Sequence, residues 1–382
     1  MKQLVMDNRD QLKLGIRPEI IFMDFLKDET RPLQKVVEGK TRLISSEPVN
    51  LTILIRMYFG SFMMHCYANK IFNGVAIGLN TYSYDWTILA KYLQQVGDDV
   101  VAGDHGGYDG RYRAAIYKAC LEIVERFYYN STPEDRTIRA GIIEILLSSV
   151  HCANVFSPDD GKTHAVLYEW FGALPSGTTL TALFGSIGGL IINRYAVYSI
   201  CLEHEGRSHI SFDNNDEIDF ISIEKSIRMV QGGDDNLISL GKYLLDRGVD
   251  QNSLTRLFDE MGWEYTDETK QGLTHGTRPL SKCQFYKRWF VYDARIGRYK
   301  SPLEFDSIDD RNNWISSKAA PGDYERNVRS AILEYSQHTT QVWIERALPL
   351  IVAAKKYLNM YDLPEDQNEA FRELSKLESY LA

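Results

Sequence analysis

Two adjacent carboxylates, Asp234 and Asp235, follow a pair of glycines in the run Ile227-Arg228-Met229-Val230-Gln231-Gly232-Gly233-Asp234-Asp235-Asn236-Leu237-Ile238-Ser239-Leu240. The flanks mix apolar and polar residues as a half-buried strand does, while Gly-Gly-Asp-Asp is turn chemistry. The pattern therefore predicts a β-hairpin with both carboxylates exposed and unpaired at its tip. Neighbouring anions repel unless a cation lies between them, so the chemistry suggested is a divalent metal site. The tripeptide alone is weak, because an ordinary solvated turn has the same composition. Gly97-Asp98-Asp99 is a second copy, and no strand precedes it.

What raises the signal is a further carboxylate. Val100-Val101-Ala102-Gly103 predicts a strand that leads into Asp104-His105-Gly106-Gly107-Tyr108-Asp109-Gly110. The glycines should end that strand and a helix should begin near Arg111, with Asp104 at the strand end and Asp109 at the helix start. If the two strands are neighbours in one sheet, Asp104 and Asp234 converge. Carboxylates converging in this way can hold two Mg2+ ions about 4 Å apart, the clamp used for in-line phosphoryl transfer. Upstream, Lys27, Arg31, Lys35, Lys40 and Arg42 place five cations within sixteen residues, against Asp28, Glu29 and Glu38. Such a segment can grip a triphosphate, although a solvated mixed-charge face has the same composition. Nucleotidyl transfer is the reaction class that joins these pieces.

The elements that must position these residues alternate between helices and strands. A helix is predicted from about Leu51 to Asn73, and another over Asp85–Leu93 with Asp85 as its cap. Pro175-Ser176-Gly177-Thr178-Thr179 is a turn that opens a long apolar helix from Leu180 to Leu202, with Gly185, Gly188 and Gly189 allowing close packing. Glu203 to Asp219 reads as a loop, Leu254 to Met261 as a helix, and Phe285 to Val291 as a strand. Beyond Pro302 the sequence reads as helical, interrupted at Pro321-Gly322 and kinked at Pro349. With 382 residues, 44% hydrophobic and 25% charged, the chain can bury the cores of two or three domains. A net charge of -9 argues against coating nucleic acid over the whole surface but leaves room for a local basic channel. There is no apolar run of transmembrane length and no signal-peptide pattern. Five scattered cysteines, at 66, 120, 152, 201 and 283, fit free thiols in a reducing compartment. Cys201, His204 and His209 lack an evident fourth partner for zinc. Tyr82, Tyr84 and Trp86 suit packing better than base stacking, and His105 reads as structural.

Taken together, the motifs resemble those of the RNA-directed RNA polymerases of picornavirus-like positive-strand RNA viruses. Lys27-Asp28-Glu29-Thr30-Arg31 with Gly39-Lys40-Thr41-Arg42-Leu43-Ile44 resembles the basic fingers motif. Asp104 with Asp109 resembles the first palm motif, Pro175-Ser176-Gly177 with Thr181 the second, and Gly233-Asp234-Asp235 the third. Gly262 through Tyr265-Thr266-Asp267-Glu268-Thr269-Lys270 resembles the fourth, and Phe285-Tyr286-Lys287-Arg288 the fifth. The resemblance implies an α+β right-handed polymerase with an antiparallel palm sheet flanked by helices. Residues 1–96 would be partial fingers, 97–292 palm with fingers insertions, and 293–382 a helical thumb. Carried over by position, Asp104 and Asp234 would ligate two Mg2+ ions, for which Mn2+ can substitute, with Asp235 assisting. Asp109, Ser176, Gly177 and Thr181 would bind the ribose, and Arg31, Lys35, Lys40 and Arg42 the triphosphate. Lys270 would be the general acid, and Lys287 and Arg288 would hold the primer strand. RNA template and primer, ribonucleoside triphosphates and other viral replication proteins are the implied partners. The implied setting is the host-cell cytoplasm, with membrane-associated replication complexes as one form of it.

Three departures from the family pattern carry expectations. Gly185 stands where the second motif has an Asn, which removes a polar partner of the ribose, and Asn193 lies too far along the helix to replace it. Gly232 stands where an aromatic precedes Gly-Asp-Asp, which should loosen the hairpin. Fewer than forty residues precede Gly39, so the chain is expected to be truncated or minimal at its N-terminus. Two other functions fit parts of the pattern. A reverse transcriptase shares the palm carboxylates, but Asp109 speaks against it, since such enzymes need a bulky residue there. A non-catalytic RNA-binding replication scaffold should have lost a metal carboxylate, and Asp104, Asp234 and Asp235 are all present.

Overall fold

The computed structural model describes residues 1–207, 219–270, 276–316 and 318–376. Its centre is a four-stranded antiparallel sheet in the order Ile227–Gly232, Asp235–Leu240, Asp99–Gly106, Glu264–Asp267. Register pairs Asp104 with Asp235 on one side and with Thr266 on the other. The sequence suggested half-buried strands, but this sheet is covered on both faces. Val101, Met229, Ile238 and Leu240 belong to a core shared with the helices Ala114–Phe127, Thr181–His204 and Gln251–Glu260. Val100, Ala102, Val230 and Leu237 face the other way, against Trp86, Leu89 and Leu93 of the Asp85–Leu93 helix and against Phe285 and Phe290. This odd and even division is the period-two alternation of a strand, used twice over. Burial on both faces makes the register costly to shift, because a one-residue slip would exchange the two faces.

A second four-stranded sheet runs in the order Leu43–Ser46, Ile21–Leu26, Ser148–Ser157, Lys162–Phe171. Its parallel pair is pinned by a polar cluster in which His151 Nδ1 lies 3.1 Å from Asp24 Oδ1 and His151 Nε2 lies 2.7 Å from Ser149 Oγ. The side chains of Asp24 and His151 are fully buried, so this Ser-His-Asp constellation has no access to a substrate and serves the sheet.

The long apolar helix, expected from Leu180 to Leu202, spans Thr181–His204, and the first predicted helix runs over Val49–Ala68. Asp85 is the first helical residue rather than the cap, and its Oδ2 accepts from the Asn80 amide at 3.2 Å. Phe285–Val291 is not one strand. Gln284–Phe285 and Arg288–Trp289 form a short antiparallel pair, turning at Tyr286 and Lys287. After a further hairpin, Val291–Asp293 with Arg298–Lys300, the chain is helical. Gly322, at φ 86, begins the Asp323–Tyr335 helix. Pro349 follows a π turn over Trp343–Ala347, as expected where a proline removes a main-chain donor.

This C-terminal helical core is tied to the centre through Arg288. The guanidinium gives Nη1 and Nη2 to Glu334 at 2.9 and 2.7 Å, Nη1 to Ser301 O at 2.8 Å, and Nη2 to Tyr82 Oη at 3.0 Å. Both charged side chains are buried. Arg288 was expected to touch RNA, but its donors are committed inside the protein. Lys287 is exposed and pairs with Glu304 at 2.6 Å. Arg288→Met leaves buried Glu334 with only the Tyr82 hydroxyl at 2.6 Å and Arg311 at 3.5 Å, and should lower unfolding stability by about 3 kcal/mol, whereas Lys287→Ala should cost under about 1 kcal/mol. Urea denaturation of the two variants measures the difference.

Candidate active site

The last pair of the hairpin is Gly232 with Asp235, so Gly233 and Asp234 alone make the turn. Gly233 has φ 73, a conformation open to glycine and costly for other residues. The turn is held from beneath. The Gly233 amide donates to Ser186 Oγ at 3.0 Å, and Gln231 Nε2 donates to Gly233 O at 2.9 Å. Asn193 Nδ2 in turn donates to Gln231 Oε1 at 2.9 Å. Any side chain at Gly189 would collide with Gln231, which accounts for the glycine there. On the neighbouring strand Asn236 Nδ2 donates to Gly103 O at 3.1 Å, and Asn236 Oδ1 accepts from Tyr265 Oη at 2.8 Å. Sequence reading missed Gln231, Asn236 and Tyr265. For Gln231 and Asn236 the available signal was an amide side chain on each side of the turn.

Asp104 lies inside its strand, which continues to Gly106, rather than at the strand end. Asp104, Asp109 and Asp234 line one cavity of about 450 Å³ together with Arg42, Thr181, Gly185, Gly233 and Lys270. The expectation of exposed, unpaired carboxylates holds for Asp234 only. Asp104 is buried and bonded by Lys270 Nζ at 2.7 Å, and Asp235 is half-buried and does not line the cavity.

The electrostatics follow from this crowding. Burial, then the charges of Asp234 and Asp104, push Asp235 up to about 7. Desolvation by the cavity walls and then Asp234 push Asp109, which is itself open to solvent, up to about 6. Asp234, although its side chain reaches solvent, is raised by desolvation from the surrounding protein and by Asp104. Desolvation opposes the charge on Lys270, but the hydrogen bond to Asp104 and the three carboxylate charges outweigh it, so its pKa rises. Raised carboxylates around one cavity mark a site short of positive charge, and their hard oxygen donors suit Mg2+ or Mn2+. Among the described residues no group of three or more His, Cys, Asp or Glu side chains is gathered closely enough to hold an ion. The donors that fit a cation are therefore the cavity pair, Asp104 and Asp234, with Asp235 behind them.

Of the basic segment, Arg42 reaches the cavity. Its Nε lies 2.6 Å from Glu29 Oε1, and Glu29 also draws Lys27 and Arg31 to 3.3 and 3.7 Å. Arg31 donates to Lys40 O at 3.1 Å, Lys40 pairs with Glu38 at 2.9 Å, and Lys35 lies on the short Leu33–Val37 helix. These three do not line the cavity. Glu29, counted in the sequence as an opposing charge, is the hub that aims the segment, and Arg42 holds it down to about 2.

Thr181 also lines the cavity, but Ser176 and Gly177 do not. Ser176 Oγ donates to Leu43 O at 3.2 Å and accepts from the Ser45 amide at 3.3 Å. A Cβ on Gly177 would come within 2.5 Å of Ser45 O. Both residues clasp the start of the long helix to the second sheet instead of facing a ribose. Gly185 does face the cavity, and Asn193 is wholly buried beneath the turn, so it does not replace the missing Asn. Gly232 is buried, and the Tyr286 phenol occupies the space beside it. His105 sits among Tyr108, Phe258, Trp263 and Tyr265, and burial pushes its pKa down to about 3, which fits the structural reading. Cys201 is buried in its helix, and His209 lies outside the described residues.

Comparison with known proteins agrees with this geometry. The family profile described as viral RNA-dependent RNA polymerase matches residues 2–353. The replicase polyprotein of acute bee paralysis virus (strain Rothamsted) is 28% identical over 334 residues, covering 87% of this chain and 17% of that polyprotein. The genome polyprotein of rice tungro spherical virus (strain Vt6) is 30% identical over 339 residues, covering 86% of this chain and 9% of that polyprotein. The chain thus spans less than a fifth of the length of these relatives. Among solved structures, a Sicinivirus 3Dpol RNA dependent RNA polymerase matches with a TM-score of 0.70 at 18% identity, covering 93% of this chain and 66% of that one. That likeness establishes the fold, an α+β right-handed polymerase.

The raised carboxylates give a pH dependence of defined sign. An unfolded Asp titrates near 3.8, whereas Asp235 in the fold titrates near 7. Between those values the native state holds more protons, so this group's contribution is present at low pH and is lost as pH rises through 7. Urea denaturation without metal should show a steeper loss of stability from pH 5.5 to pH 8 in the wild type than in Asp235→Asn. Saturating Mg2+ should remove most of that difference.

Proposed function

The chain belongs to the viral RNA-dependent RNA polymerase family, and from that premise we propose that it extends an RNA primer on an RNA template by two-metal nucleotidyl transfer. The observation that carries this reading is the shared cavity, in which Asp104 and Asp234 face Lys270 and Arg42. In the reaction the RNA 3'-hydroxyl oxygen bonds to the α-phosphorus of a ribonucleoside triphosphate, and the bond to the leaving pyrophosphate breaks. Divalent cations held by Asp104 and Asp234, Mg2+ or Mn2+, would polarise the phosphoryl oxygens and offset the charge of the leaving group.

The protein's own groups have separable tasks. Arg42, fixed in direction by Glu29, meets the triphosphate with a charge-assisted fork. Asp109 accepts from the ribose 2'-hydroxyl, beside Thr181, and Gly185 leaves the adjoining wall of the cavity without a polar group. Lys270 keeps its proton at neutral pH because the carboxylates stabilise its charge, and it delivers that proton to pyrophosphate as the bond breaks. Lys287, on the exposed side of its turn, supports the primer backbone. Arg31, Lys35 and Lys40 belong to the same basic segment as Arg42 and would act as a diffuse attraction for anions rather than as direct ligands.

The setting that goes with this activity is the host-cell cytoplasm, in membrane-associated complexes with other viral replication proteins. The relatives are polyproteins of which this chain matches one segment, which supports such partners. Among the described residues no helix is long and apolar enough to cross a membrane.

Primer extension with ribonucleotides tests the proposal. Asp234→Ala should abolish incorporation, and Lys270→Leu should slow turnover by about 10²–10⁴-fold while leaving primer-template binding intact. Asp109→Ala should reduce the preference for ribonucleotides over deoxyribonucleotides. Incorporation by Asp234→Ala at the wild-type rate would overturn the assignment.

A further inference from the structure

Gly232 is a glycine without a conformational reason. It is paired in its strand, it is fully enclosed, and it is not among the glycines at positive φ. Space explains it instead. A Cβ built on Gly232 would overlap the hydroxyl end of the Tyr286 phenol, with the hydroxyl oxygen and two ring carbons as its nearest neighbours.

The conformation at Tyr286 is unusual in the complementary sense. Tyr286 and Lys287 form a two-residue turn between Phe285 and Arg288, with φ of 54 and 60. Such turns favour Asn-Gly, and placing a side chain in the left-handed region costs roughly 1–2 kcal/mol per residue. Something in the fold must offset that cost. The phenol lies against the strand that leads into the catalytic turn, and Tyr286 Oη donates to Ala76 O at 3.3 Å. The Ala76 amide donates at 2.9 Å to the carbonyl of Gln231, whose side chain carries the Gly233-Asp234 turn. Phe285 backs the ring at 4.1 Å between centroids, and Arg288, the next residue but one, is fixed to Glu334. The strained turn is thus anchored on its far side and presses its one large ring on the backbone beside Asp234 and Asp235.

We propose that Tyr286 supplies, from a separate hairpin, the aromatic wall that Gly232 lacks, and is a positioning residue for Asp234 and Asp235. Position 232 and position 286 form one packing unit in which a single ring is held, in this chain by residue 286. The inference rests on the polymerase reading only for its activity arm.

The test is a reciprocal exchange using Tyr286→Ala, Gly232→Tyr, the double variant Gly232→Tyr/Tyr286→Ala, and Tyr286→Phe in the full chain. Amide hydrogen exchange over residues 227–240, read by mass spectrometry, reports the turn whether or not the protein is active. The Mg2+ concentration for half-maximal primer extension reports the carboxylates. Tyr286→Ala should speed exchange of that segment by about tenfold or more and raise the Mg2+ requirement. Gly232→Tyr should do the same through collision, the double variant should recover both readouts, and Tyr286→Phe should retain protection. Unchanged exchange in Tyr286→Ala, or a double variant no better than the worse single one, would overturn the proposal. Loss of extension by the wild type itself would refute the polymerase reading while the exchange comparison still decided the packing claim.

Discussion

The register between the Asp99–Gly106 and Asp235–Leu240 strands is the constraint on which the rest depends. It sets Asp104 opposite Asp235 and brings Asp234, one residue earlier, over the same cavity. Left to electrostatics alone, carboxylates would not gather in this way, since each raises the pKa of the others. Apolar burial on both faces of the sheet holds them together. A slip by one residue would exchange Val101 and Ile238 with Ala102 and Leu237 between two cores of different shape. Packing therefore imposes an arrangement that is locally unfavourable until a cation arrives.

The elements around the sheet serve the same end. Gln231 and Asn193 fix the turn from below, Asn236 and Tyr265 lock the neighbouring strands, and Tyr286 closes the side that Gly232 leaves open. Lys270 and Arg42 supply positive charge from segments far apart in the sequence, and each is aimed by an acid, Asp104 for one and Glu29 for the other. Arg288 joins the helical C-terminal region to this assembly through buried Glu334. Its role shows how a motif residue can serve the site without touching a ligand.

Much of the site was legible because its residues are read locally. Gly233-Asp234 is a turn by composition, the Thr181–His204 helix by its apolar run, and Lys270, Arg42 and Asp109 by their order along the chain. The misreadings of site residues come mainly from contacts between distant segments. Ser176 and Gly177 look like ligands until strand Leu43–Ser46 is seen against them, and Arg288 looks like a primer contact until Glu334 is found at its fork. Gly232 looked like a defect because the ring that compensates it comes from another hairpin. Asp104 was placed at a strand end because Gly106 and Gly107 read as a stop, whereas the strand gains two more residues from pairing with Glu264–Asp267.

The central claim is that Asp104 and Asp234 act as one cation site because the register brings them together. Calorimetric titration of Mn2+ into the wild type, Asp104→Asn, Asp234→Asn and the double variant measures this directly as a coupling between the two residues. Each single change should remove most of the affinity, and the double change should remove little more. Independent, additive losses, or unaltered binding in either single variant, would contradict a shared site.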